Sequence, residues 1–165
     1  MELRPLVVET AIDDARWHHI PSIAATIEHI CRQTLDHVGF PYTECPTEVF
    51  IQCTNDAYIH QLNKEHRNKD KPTNVLSFPG EELEAGNYGH LEQPLIALGD
   101  IVIAYETVER EAAEANISLT HHFHHMVIHG LLHLLGHDHI DDSEAEAMEA
   151  LEVEILSLYE IKNPY

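Results

Sequence analysis

His129-Gly-Leu-Leu-His133-Leu-Leu-Gly136-His137-Asp138-His139 is the stretch on which the reading of this chain turns. Met126, Val127, Ile128, Leu131, Leu132, Leu134 and Leu135 surround the first two histidines, which predicts a helix over residues 120–135 that is apolar on most sides and therefore buried. Residues four apart on a helix lie one above the other, so His129 and His133 project from one face and can bind a single ion. Gly136 tolerates the left-handed conformation that ends a helix, letting the chain turn and bring His139 to the same ion. Three imidazoles favour zinc, and three protein ligands leave a fourth tetrahedral position open, as in catalytic rather than structural sites. Zinc lowers the pKa of its water to ~7, which makes hydroxide available, and it polarises a substrate oxygen. The expectation is a hydrolase with one Zn2+ per chain on His129, His133 and His139. The alternative is a pair of hydrogen-bonded core histidines. So apolar a helix offers few polar partners, and two buried imidazoles without them would be costly.

Around this segment stand further polar groups. His121, His122, His124 and His125 precede it and read as solvated, or packed at the edge of a pocket, rather than as additional ligands. In the turn, His137 faces either substrate or water. Asp138 either orients a ligand imidazole as a supporting acceptor or hydrogen-bonds its own backbone.

Working outward, residues 3–10 read as a strand. Ile23, Ile27, Ile30, Leu35 and Val38 recur near helical spacing within residues 21–39, with Pro21 suited to the first turn and Gly39 to the end. Residues 48–53 alternate as a half-buried strand, and Thr54 or Asn55 can cap a helix running to about His66. A loop carrying basic residues follows. Residues 74–78 and 97–104 predict two more strands, separated by a connection over 79–94 expected to be exposed and mobile. Residues 106–115 predict a helix, and a last helix begins near Asp142, where Ser143 and Glu146 can form a capping box. This order implies an α+β fold, a single layer of about four mixed strands with helices packed on it. The metal site falls on a helix of the C-terminal half and the turn after it, within a single domain over residues 1–165.

Composition narrows the function classes. No apolar run approaches the ~18 residues that cross a bilayer, and residues 1–10 hold too short a hydrophobic stretch for a signal peptide, so a cytoplasmic protein with no membrane association is expected. Cys31, Cys45 and Cys53 form no Cys-x-x-Cys pair and read as reduced, mostly buried thiols. The formal net charge of -20 opposes indiscriminate binding to nucleic acid, yet four of the nine Lys and Arg residues, Lys64, Arg67, Lys69 and Lys71, lie within eight positions.

The histidine spacing matches the metzincin protease pattern His-Glu-x-x-His-x-x-Gly-x-x-His except that Gly130 replaces the glutamate base, which leaves peptide cleavage without its usual proton acceptor. A metzincin-like protease is thus the second reading. The full segment from His129 to His139 closely resembles the YbeY family of endoribonucleases, the rRNA maturation factors. So do Asn63-Lys64-Glu65-His66-Arg67-Asn68-Lys69-Asp70-Lys71-Pro72-Thr73-Asn74-Val75-Leu76-Ser77-Phe78-Pro79 and Gly99-Asp100-Ile101-Val102-Ile103, and Met148 with Glu152 echoes that family's following helix. The resemblance implies a metal-dependent, single-strand-specific endoribonuclease acting in ribosomal RNA processing and ribosome quality control, with small-subunit ribosomal proteins or assembly factors as partners. It also implies that Arg67 is catalytic, since a planar guanidinium can grip two phosphate oxygens and stabilise charge developing in the transition state. Lys64, Lys69 and Lys71 would then guide the RNA backbone, although basic residues at a helix C-terminus also simply oppose its macrodipole. A third reading is a metal-stabilised ribosome assembly module with little catalysis, its acidic surface docking on basic ribosomal proteins.

Overall fold

The computed structural model describes residues 5–165. Four strands, β1 (Leu6–Ile12), β2 (Thr47–Thr54), β3 (Val75–Pro79) and β4 (Ile96–Ala104), form one sheet in the order β1-β2-β4-β3. β1, β2 and β4 run parallel, and the short edge strand β3 is antiparallel to β4. Five helices pack on this sheet: α1 (Ile23–His37), α2 (Asp56–Arg67), α3 (Tyr105–Glu114), α4 (Leu119–Leu134) and α5 (Asp142–Ser157). The α+β layer of mixed strands expected from the pattern is the fold observed. Residues 3 and 4 of the first expected strand lie outside the described residues.

Alternation along the strands divides the core. Ile101 and Ile103 of β4 face the main core with α4, whereas Val102 and Ala104, one residue out of phase, meet Leu76 and Ile59 beneath α2. α4 is the most enclosed helix: Phe123, Met126, Val127, Ile128, Leu131, Leu132 and Leu134 are all buried, because it packs against β3 and β4 while α1, α3 and α5 flank it. At this all-round apolar helix hydrophobic burial is largest, with each fully buried aliphatic side chain contributing about 1.5–3 kcal/mol. The three cysteines are free and buried, and burial pushes the thiols of Cys31 and Cys53 up to about 12, which keeps them unreactive.

Some local expectations need correction. Pro21 stands ahead of α1 rather than in its first turn, because Ser22 is the N-cap. At α5 the cap is Asp141, whose carboxylate accepts from the Glu144 N–H at 2.8 Å, so Ser143 lies inside the first turn and forms no capping box with Glu146. Lys64 and Arg67 belong to the last turn of α2, not to a loop. Asn68, at φ 56°, closes that helix, and the buried Asn63 donates to the Lys71 carbonyl at 2.8 Å, folding residues 68–71 back onto the helix end. The 79–94 connection is not uniformly exposed, since Tyr88 and Leu91 are buried in the main core. Tyr88 packs on Phe40 with ring centroids 5.1 Å apart and donates to the Leu135 carbonyl at 2.7 Å, pinning the connection to the end of α4.

Candidate metal centre

Two residues make the geometry at the end of α4 possible. Gly136 adopts φ +96°, and a Cβ there would lie 2.3 Å from the Leu83 carbonyl oxygen, so the turn needs both the left-handed backbone and the missing side chain. Gly130 packs its bare Cα against β3 and β4. A Cβ would lie 2.8 Å from Ile101 Cγ2 and 3.2 Å from Ser77 Oγ, whose hydroxyl donates to the Gly130 carbonyl at 3.0 Å. The position that carries glutamate in metzincins is therefore closed to any side chain. Gly130→Glu is expected to destabilise the fold by at least the ~1–3 kcal/mol of core overpacking, seen as a lower urea midpoint, and to confer no casein digestion.

The turn brings His139 back over the helix. Ring nitrogens of His129, His133 and His139 lie within 4.8 Å of one another, with His139 the exposed member. The tautomers follow from what each ring touches. Glu152 is ionised: burial would raise its carboxyl, but hydrogen bonds from His125, His129 and Tyr165 outweigh that and hold it at about 2. His129 Nδ1 must therefore carry the proton it donates to Glu152 Oε1 at 2.7 Å. His133 Nδ1 likewise donates to the His137 carbonyl at 3.0 Å. Both Nε2 atoms are left with bare lone pairs, and they face each other at 3.1 Å. Burial, then the neighbouring His129 and His139, pushes His133 down to about 4, so its own ring brings no proton to relieve this contact near neutral pH. A cation does. Two nitrogens bound at about 2.0–2.1 Å to one tetrahedral ion lie about 3.3 Å apart, close to the spacing found, so the donor set fits a zinc-like ion.

These histidines open onto a cavity of about 760 Å³, also lined by Arg67 from α2, Asn74 just ahead of β3, Ser77 from β3, Glu81 and Glu82 from the connection, and His137 and Asp138 from the turn. Arg67 is the single lysine or arginine lining it among the described residues. Lys64, Lys69 and Lys71 are exposed and lie outside the lining. His137 contributes its carbonyl to His133, while its half-buried ring faces the cavity and is lowered by burial. Asp138 accepts from the backbone N–H of His139 at 2.8 Å, and its carboxylate is 4.0 Å from His139 Nδ1, so it stabilises the turn rather than the ring.

The histidines ahead of the motif divide. Of the two expected alternatives, solvated or packed at the pocket edge, His121 matches the first, whereas His124 and His125 are buried and do not line the cavity. His124 donates to the Thr120 carbonyl, His125 to Glu152, and the partly buried His122 to Glu111, which also accepts from Asn74 of the cavity wall. Glu152 is the residue whose role sequence reasoning missed. Its signal was available: Met148, Glu152, Ile155 and Leu156 share the buried face of α5, where a carboxylate needs partners.

The sequence profile of the family described as Endoribonuclease YbeY matches residues 11–160. Proteins named Endoribonuclease YbeY are 42% identical in Allorhizobium ampelinum, over 99% of this chain and 96% of the relative. In Azorhizobium caulinodans the identity is 44%, over 96% of this chain and 95% of the relative. In fold, the solution structure of a Thermotoga maritima protein is similar at a TM-score of 0.56 and 22% identity, over 93% of this chain and 92% of that one.

Proposed function

This chain belongs to the endoribonuclease YbeY family, and on that premise we propose that it is a zinc-dependent, single-strand-specific endoribonuclease of ribosomal RNA maturation and ribosome quality control. It works as one domain over residues 1–165, in the cytoplasm, with small-subunit ribosomal proteins or assembly factors as partners. Among the described residues no helix is long and apolar enough to cross a membrane. The observation that carries the reading is the convergence of His129, His133 and His139 on the cavity that Arg67 enters.

The residues divide the work as follows. His129, His133 and His139 would hold one zinc ion, which when bound supplies a nucleophile at neutral pH and polarises a phosphate oxygen. Arg67 meets the scissile phosphate with two parallel N–H donors and stabilises the negative charge that grows on it. Glu81, Glu82 and Asp138 line the same cavity and repel phosphate, so the attraction rests on Arg67 and on the cation that the histidines hold. That dependence favours a phosphodiester over an uncharged peptide bond. The protease reading is weaker still because Gly130 has no room for the glutamate base.

Lys64, Lys69 and Lys71, outside the cavity, are suited to the flanking backbone of the RNA strand. If these lysines and Arg67 all engage phosphates, log affinity should fall against log salt with a slope of about -3 for a single strand, despite the charge of -20. A flat dependence measured by fluorescence anisotropy would remove the cluster from the interface. The functional reading is tested by incubating the zinc-loaded protein with single-stranded RNA, duplex RNA and casein, each with and without chelator. Cleavage confined to single-stranded RNA and abolished by chelator is expected. Casein digestion would favour the protease, and RNA binding without cleavage the assembly module.

A further inference from the structure

We propose that Glu152 is a positioning residue for the metal centre, fixing His129 in the tautomer that presents Nε2 to the ion, and that His125 and Tyr165 hold Glu152 in place for this task. The proposal rests on the zinc reading above. Glu152 sits on α5 at 1% exposure, and its carboxylate accepts hydrogen bonds from two histidines and a tyrosine. Its Oε1 accepts from His129 Nδ1 at 2.7 Å and from His125 Nε2 at 3.1 Å, while its Oε2 accepts from the Tyr165 hydroxyl. No lysine or arginine pairs with it among the described residues, so these three hydrogen bonds are what sustain a buried carboxylate there.

The three metal-facing histidines are consequently unequal. His129 is backed by a charged carboxylate, which raises the basicity of its free nitrogen, and His133 by a neutral carbonyl. His139 has neither, since its side chain is 59% exposed and 4.0 Å from Asp138. His129 is the anchoring ligand and His139 the one released first. His125, His129 and Glu152 also place donor atoms within 4.8 Å of one another and could form a rival ion site. The two sets exclude each other, because an ion at the rival site would need the His129 Nδ1 that carries the proton toward Glu152. The set with His133 and His139 opens to the cavity, whereas the rival set is enclosed around a carboxylate at 1% exposure.

The test combines zinc affinity, by competition with a chromophoric chelator, for wild type, Glu152→Gln and Tyr165→Phe with two-bond 15N–1H spectra of the histidines in zinc-free wild type. Dissociation constants should rise about ten- to a hundredfold for Glu152→Gln and less for Tyr165→Phe, while His129 reports an Nδ1–H tautomer. The spectrum separates positioning from mere packing, which would not select a tautomer. Zinc affinity within twofold of wild type in Glu152→Gln, or an Nε2–H tautomer of His129, would overturn the proposal. So would loss of stoichiometric zinc in Glu152→Gln alongside its retention in His133→Ala, which would mark the rival set as the site. Should Glu152→Gln fail to fold, the wild-type spectrum and Tyr165→Phe still decide. Absence of zinc binding in the wild type would instead remove the zinc reading itself, a result distinguishable from all of these.

Discussion

His133→Ala is expected to lose stoichiometric zinc and, with it, RNA cleavage down to the level of chelator-treated wild type. Two properties make this ligand hard to replace. Its Nδ1 is tied to the His137 carbonyl, so the turn and the ring are set together, and its Nε2 faces that of His129 at 3.1 Å. Removing it leaves His129 and His139, whose ring centroids are 6.0 Å apart and whose second member is exposed. His139→Ala should also fall short of full stoichiometry but lose less affinity, because His129 and His133 remain held on one helix face. Elemental analysis after gel filtration, with circular dichroism to verify folding, checks both variants. Full zinc retention by both would remove this set as the metal site.

Arg67→Lys is expected to keep its zinc and its fold yet cleave single-stranded RNA about a hundredfold more slowly, the scale typical of a lost electrostatic donor. Arg67 ends α2 in an exposed position, so the exchange should cost little stability. Lysine preserves the charge but presents a compact ammonium in place of a planar fork with two parallel donors. If those donors act on charge that develops only in the transition state, the single-turnover rate falls while RNA affinity changes little. Weaker affinity at an unchanged rate would show uniform binding instead. Cleavage near the wild-type rate by zinc-loaded Arg67→Lys would take Arg67 out of the catalytic machinery.

Legibility of the fold in the sequence follows the range of the forces involved. The apolar run around His129 and His133 and the stop at Gly136 are local signals, and α4 with its turn at φ +96° matches them. Asn55 caps α2 as its residue type invites, accepting from the Tyr58 N–H at 2.9 Å. At α5 two capping residues stand two positions apart, Asp141 and Ser143, and local chemistry does not choose between them. Tyr88 was opaque because a lone aromatic among glycines and glutamates has no period; its burial depends on Phe40 and the Leu135 carbonyl, distant in sequence. Glu152 is named only through resemblance: its place on the apolar stripe of Met148, Ile155 and Leu156 marks it for burial, but its partners His125 and His129 are set by the packing of α5 against α4. The sheet order is equally a matter of long-range pairing that strand patterns do not encode.

Whether one zinc ion on His129, His133 and His139 drives RNA cleavage beside Arg67 is tested by titrating zinc into chelator-stripped protein while following cleavage of a short labelled single-stranded RNA. Expected are no cleavage without metal, a rise proportional to added zinc, and a break at one equivalent per chain. Full cleavage by the metal-free protein would contradict a zinc-driven reaction.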